Sequence, residues 1–189
     1  EKNFLNINGE KFSGKTHLVN IFLKKFNGIR IDVNSLNDEN LKSIKPYQNI
    51  VLDDLNLNIN EKLIYSLFNI IDQDNKFLII TSTKPISEIN FQLKDLRSRT
   101  KNCLFANIQN PDDELMFALI LKNLSDRQIT LDKKLIDFII KRIERSYGKI
   151  FEFIYKIDKI SLKKKKSIDF LSLIHISEPT RRSWISYAV

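Results

Sequence analysis

Apolar residues along this chain fall into short runs and into helical repeats, and the two alternate. Phe4 to Asn8, Asn49 to Leu52 and Lys76 to Ile80 are short apolar runs, and Ile29, Ile31 and Val33 alternate with polar neighbours; each predicts a strand. Between them, Thr16 to Phe26 carries Leu18, Ile21, Phe22 and Phe26 at helical spacing, and Asn37 to Ile44 reads as a short helix ended by Pro46. Asn60 caps a helix to about Ile71 whose Leu63, Ile64, Leu67, Phe68 and Ile71 share one face. Strands apolar on both faces that alternate with helices predict an α/β fold, a parallel sheet covered on both sides. After a last strand, Leu104 to Ile108, only helical patterns remain. Pro111 with Asp112 and Asp113 opens the first, because proline and acids both suit a first turn, and Leu131 to Ile143 and Ser146 to Ile160 follow. The expected organisation is an α/β core over 1–109 and a three-helix appendage over 110–170.

With 189 residues and 22.2 kDa the chain has room for one domain and a small appendage. Hydrophobic residues at 42% and charged residues at 29% exclude a disordered or collagen-like chain. No apolar run approaches the roughly 20 residues of a membrane span. A single cysteine, Cys103, excludes a disulfide framework or a cysteine zinc site and predicts a reducing, cytoplasmic setting. The chain opens on Glu1 almost inside its first strand, without methionine or signal-peptide pattern, and reads as truncated there.

At the other end the vocabulary changes. Up to Phe170, Lys, Asn, Ile, Phe and Leu dominate, whereas Leu171 to Arg181, LSLIHISEPTR, is what translation of a common transposon-based sequencing adapter gives. Ile185 to Val189 continue that adapter in frame, so Leu171 to Val189 read as an artefact, and His175 and Trp184 carry no function. Before Leu171, 29 basic and 22 acidic side chains leave a balance of +7. This excess, with the run Lys163 to Lys166, suits a weak DNA contact or a solvated helix face.

Gly9-Glu10-Lys11-Phe12-Ser13-Gly14-Lys15-Thr16 satisfies G-x-x-x-x-G-K-[ST], after a strand and opening a helix. Backbone amides of such a loop cradle phosphate oxygens, Lys15 reaches the β and γ phosphates of ATP, and the Thr16 hydroxyl takes a Mg2+ ligand position. The apolar run Asn49 to Leu52 ends in Asp53 and Asp54, of which the first holds the metal and the second orients or deprotonates the attacking water in this reading. Thr81, Ser82 and Thr83 follow the next strand, between loop and acids, where a polar group senses the γ phosphate. Asp95-Leu96-Arg97-Ser98-Arg99 puts two arginines on a short helical stretch, a place from which a finger is offered to a neighbouring subunit. His17 reads as helix packing behind the loop rather than a metal ligand.

This order of motifs, with His17-Leu18 trailing the loop, Leu52-Asp53-Asp54, Ile80-Thr81-Ser82-Thr83-Lys84-Pro85, the arginine pair and a helical lid, resembles the bacterial DnaA family of AAA+ ATPases over residues 4 to 160, and within it the Hda type of regulator. The resemblance implies that Gly9, Ser13, Gly14, Lys15, Thr16 and His17 belong to the nucleotide loop. It also implies that Thr83 stands at the polar sensor position, that Arg99 is the finger with Arg97 its neighbour, and that Arg145 or Lys149, in Arg145-Ser146-Tyr147-Gly148-Lys149, is the second sensor. Initiators of the family carry an inserted helix before the acid-bearing strand, for which Phe26 to Asn49 leaves no room. A regulator of this type binds ATP or ADP with Mg2+ and docks on the DNA-loaded sliding clamp through a peptide that here would precede Glu1. It promotes hydrolysis of the ATP held by DnaA, and with it negative regulation of replication initiation. It can form homo-oligomers. The remaining readings are an initiator fragment, a DnaC-type helicase loader with its own DNA-stimulated turnover, and a nucleotide-locked adaptor without catalysis.

Overall fold

The computed structural model describes residues 3–55 and 59–164, the side chains of 162–164 excepted. The segment from Leu171 on, Ser167 and the end of the basic run lie outside the described residues. The chain divides into two compact units at Gln109 and Asn110.

The first unit is built on five parallel strands: β1 (Phe4–Gly9), β2 (Gly28–Asp32), β3 (Asn49–Leu55), β4 (Phe77–Ser82) and β5 (Leu104–Ile108), in the spatial order β2-β3-β4-β1-β5. Helices α1 (Lys15–Lys25), α2 (Asp38–Ser43), α3 (Glu61–Gln73) and α4 (Lys94–Lys101) connect them. Right-handed crossovers decide which face each helix covers. The β1-to-β2 connection runs one way across the sheet and the later ones run back, so α1 has one face to itself. The pleat shows this division residue by residue. Ile50, Leu52, Leu78 and Ile80 pack with Ile64, Leu67, Phe68 and Ile71 of α3 and Leu96 of α4, whereas Val51 and Ile79 point the other way, with Ile7 against Val19 of α1.

Helices cover both faces of the sheet as expected, but the α1 face is covered by one helix only in part. Leu18 and Ile21 of α1, Phe26 at its C-cap and, on the same face of the edge strand β5, Leu104 are exposed, because one helix cannot span five strands. Only Val19 and the partly buried Phe22 and Leu23 of α1 reach the sheet. His17 is corrected with them: two residues from both Lys15 and Val19, the buried positions of α1, it faces away from the sheet and is exposed.

The central strand β1 carries two buried asparagines, Asn6 and Asn8. Asn6 donates to the Ile80 carbonyl at 3.1 Å and the Ser82 hydroxyl at 2.8 Å and accepts from the Ile86 amide at 2.9 Å. It thereby fixes the end of β4 and the turn that follows. Asn8 donates to Asn107 of β5 at 2.9 Å.

The second unit contains α5 (Asp113–Asp126), α6 (Lys133–Ile140) and α7 (Tyr147–Lys164). Asp112 and Asp132 cap the first two by accepting from the Leu115 and Lys134 amides. Met116, Ile120 and Leu124 of α5, Ile136, Ile139 and Ile140 of α6, and Ile150, Phe153, Ile154 and Ile157 of α7 form its core. Among the described residues no helix is long and apolar enough to cross a membrane.

Candidate functional site

In an open parallel sheet, ligands bind beyond the carboxyl ends of the strands where connections diverge to opposite faces. Here that place is the end of β1, where a cleft of about 590 Å³ is lined by residues of four segments: Lys11, Phe12, Gly14, Lys15 and Thr16; Arg30 and Asp32; Asp53 and Asp54; and Thr81 and Thr83. The sequence-predicted Gly14, Lys15, Thr16, Asp53, Asp54 and Thr83 thus meet in one cleft.

The loop between β1 and α1 is shaped for phosphate by its backbone. Phe12 and Gly14 both have positive φ, 69° and 92°. A Cβ at Gly14 would meet nothing within 4 Å, so glycine is required there by conformation and the space above it stays open. At Gly9 the requirement is packing, since a Cβ would come within 2.9 Å of both Ile108 Cβ and Ser13 Oγ. Lys15 Nζ donates to the Gly9 and Glu10 carbonyls, each at 2.8 Å, which uses two of its three N–H donors and holds the loop closed on itself. Ser13 Oγ is buried without a hydrogen-bond partner. An orphaned hydroxyl, a buried ammonium and amides at a helix start form a donor set that suits a phosphate chain.

Burial pushes the Lys15 ammonium below the ordinary lysine range, against the opposing pull of Asp54, Asp53 and Glu10. The unfolded chain therefore binds the proton more readily, and the cost of charging Lys15 in the fold is relieved as pH rises from its lowered value towards the unfolded value of 10.5. Across that alkaline window the stability of the nucleotide-free chain should climb more steeply with pH in wild type than in Lys15→Met, read by denaturant titration at stepped pH.

The two acids do not end β3; the strand continues to Leu55. From Leu52 to Leu55 β3 takes three steps while β4 takes two, Ile80 to Ser82, so Asp53 and Asp54 together oppose Thr81 in a bulge. Asp54 stands at φ 60°, a conformation a non-glycine residue adopts at some cost. The Thr81 hydroxyl holds the bulge: it accepts from the Asp54 amide at 2.7 Å and donates to Asp53 Oδ1 at 2.5 Å. The other oxygen of Asp53 pairs with Arg30 Nη2 at 2.6 Å, while Asp53 itself is 4% exposed. Thr81→Val keeps the shape and removes both bonds, and should destabilise the chain by about 2 kcal/mol. The midpoint of urea unfolding checks this.

Among the described residues no group of three or more His, Cys, Asp or Glu is placed to hold a metal ion. A Mg2+ here would draw its remaining ligands from phosphate oxygens and water, as that ion does, with Thr16 and Asp53 as the protein's share.

The other expected site residues lie elsewhere. His17 does not line the cleft. On α4, Arg97 donates to the Phe91 carbonyl at 2.5 Å and to Asn90 at 3.1 Å, and Arg99 pairs with Asp72 of α3 at 2.5 Å with its guanidinium 5.3 Å from the centre of the Tyr65 ring. In the second unit Arg145 forks onto Asp113 at 2.9 and 3.0 Å, and Lys149 pairs with Glu152 at 3.2 Å. Arg30 and Asp32 were not legible as site residues, because only the pairing of Asp32 with Asp53 brings β2 to the acids.

No family model matches the chain. It is 27% identical over 178 residues to an uncharacterised protein of Haemophilus influenzae, covering 87% of this chain and 77% of that protein. It is 29% identical over 122 residues to the chromosomal replication initiator protein DnaA of Corynebacterium aurimucosum, covering 60% of this chain but 22% of that initiator's length. Domain III of Thermotoga maritima DnaA superposes with a TM-score of 0.74 at 19% identity, over 93% of this chain and 83% of that one. AMPPCP-bound DnaA from Aquifex aeolicus superposes with a TM-score of 0.65 at 20% identity, over 87% and 58%. The five-stranded parallel sheet followed by a helical unit is the fold seen in the AAA+ domain of DnaA.

Proposed function

We propose that this chain is a nucleotide-binding relative of DnaA that regulates initiation, by promoting hydrolysis of ATP held by a DnaA partner. The observation that carries the nucleotide half is the convergence of Lys15, the Thr81-braced Asp53-Asp54 bulge and Thr83 in one cleft at the end of β1. The gain of regulator over initiator rests on what separates α1 from β3, namely β2, a single 3₁₀ turn at Val33–Ser35 and the six-residue α2, with no further helix. The Haemophilus relative, matched over most of its own length, supports a short architecture.

In this reading the loop amides, Ser13 and Lys15 hold the phosphates of ATP or ADP, and Thr16 and Asp53 hold Mg2+, which supplies charge neutralisation when bound. Asp54 orients a water. Arg145 or Lys149 serves as second sensor from the helical unit. Arg99 leaves Asp72 to neutralise charge developing on the γ phosphate of the neighbouring DnaA. The sliding clamp on DNA brings the partners together, homo-oligomers use the same Arg99 surface, and direct DNA contact is weak. The test is hydrolysis of labelled ATP by the cognate DnaA with and without this protein and clamp-loaded DNA. Stimulation that requires the clamp is expected. Absence of stimulation, with DNA-dependent turnover by this protein alone, would replace the reading by a helicase loader. The initiator reading, which the named DnaA relatives favour, would show as origin-DNA binding without stimulation.

A further inference from the structure

Arg30 lines the cleft but has no part in holding phosphate or metal as described so far. Asp53 is a buried carboxylate with both oxygens engaged, Oδ1 by the Thr81 hydroxyl and Oδ2 by Arg30. Arg30 comes from the neighbouring strand: Asp32 pairs with Asp53, and Arg30, two residues earlier in β2, shares the face of Asp32. Asp32 is already committed to the Asn34 amide at 2.7 Å and the Asn34 side chain at 3.0 Å. Arg30 is therefore the cation in direct contact with Asp53. Its side chain is 43% exposed and lines the cleft, so its head can leave without opening a core.

We propose that Arg30 is an exchangeable counter-ion for the divalent cation at Asp53, and that it sets how strongly nucleotide binding depends on Mg2+. The proposal rests on the nucleotide reading above. With phosphates in the loop and no metal, Arg30 on Asp53 removes the repulsion that a bare, desolvated carboxylate would exert on them. With a hydrated cation sharing Asp53, Arg30 has to give up that oxygen, and its head is released into the cleft that holds the phosphates. Arginine suits both positions, because its fork pairs with carboxylate or phosphate. Wild type should thus bind nucleotide with a shallow metal dependence.

The test is titration of the full chain with a fluorescent ADP analogue in Mg2+ and in EDTA, for wild type, Arg30→Gln and Arg30→Lys, each checked by thermal melting. The ratio of the Kd in EDTA to the Kd in Mg2+ should be about tenfold or more larger in Arg30→Gln than in wild type. Arg30→Lys, which keeps the charge and loses the fork, should fall between them, and it carries the test if Arg30→Gln does not fold. Equal ratios in wild type and the folded variants would overturn the proposal alone. A wild-type chain that binds the analogue in neither condition would overturn the nucleotide reading and the proposal with it.

Discussion

Lys15→Ala should weaken binding of ADP and ATP by about 100-fold or more while leaving the chain folded. The ammonium is the one buried cation of the phosphate loop, and a charge-assisted contact made where water is excluded is worth about 3 kcal/mol or more when one partner is deleted. Its other role is structural, since it bonds the Gly9 and Glu10 carbonyls. Losing those bonds costs stability, but deleting an ammonium that burial already disfavours returns much of it, so the melting temperature should move by a few degrees only. Fluorescence titration beside a melting curve separates the two roles. Unchanged affinity would show that the loop does not carry the phosphates.

Arg99→Ala should abolish the stimulation of DnaA-held ATP hydrolysis, by a factor on the order of 10³ if Arg99 is the finger, because charge developing on the γ phosphate then has no cation in trans. The variant should keep its own nucleotide affinity, for Arg99 does not line the cleft. It should also keep its stability, since the Asp72 pair is partly exposed and such pairs contribute little. Asp72→Asn is the informative companion. It releases Arg99 from its intramolecular partner and should leave stimulation equal to or above wild type. If Arg99→Ala stimulated as wild type does, the finger would have to be sought elsewhere on α4, with Arg97 next.

Much of the fold was legible because the signals were local. The last strand, Leu104–Ile108, appears as read, and Asn60 and Asp112 mark helix starts that their side chains do cap, although Pro111 lies just before the cap and not in the first turn. The strand-loop-helix placement of Gly9 to Thr16 was legible for the same reason: its pattern is written in eight consecutive residues. What escaped depends on pairing between distant segments. The bulge at Asp53-Asp54 exists because β3 and β4 lose register by one residue, and nothing in Asn49 to Asp54 records the register of Ile80 to Ser82. Thr81 therefore looked no more important than Ser82 or Thr83, although its hydroxyl braces both acids. Arg30 escaped in the same way, as did Asn6, whose polarity in a central strand is explained only by the β4 end and the Ile86 amide that it ties down. The exposed side of α1 shows the opposite failure. Helical spacing correctly gave a helix, but topology left it alone on its face, so Leu18, Ile21 and Phe26 are not core. In the helical unit α6 is shorter than its apolar pattern, Lys133–Ile140, and α7 longer, Tyr147–Lys164.

Every role proposed for these residues depends on the cleft at the end of β1 being a nucleotide site. Calorimetric titration of the full chain with ADP, with and without Mg2+, measures this without reference to any partner. One nucleotide per chain, displaced by AMPPCP and lost in Lys15→Ala, is the predicted result. No binding at millimolar ADP in either condition, from a chain whose melting curve shows it folded, would contradict it.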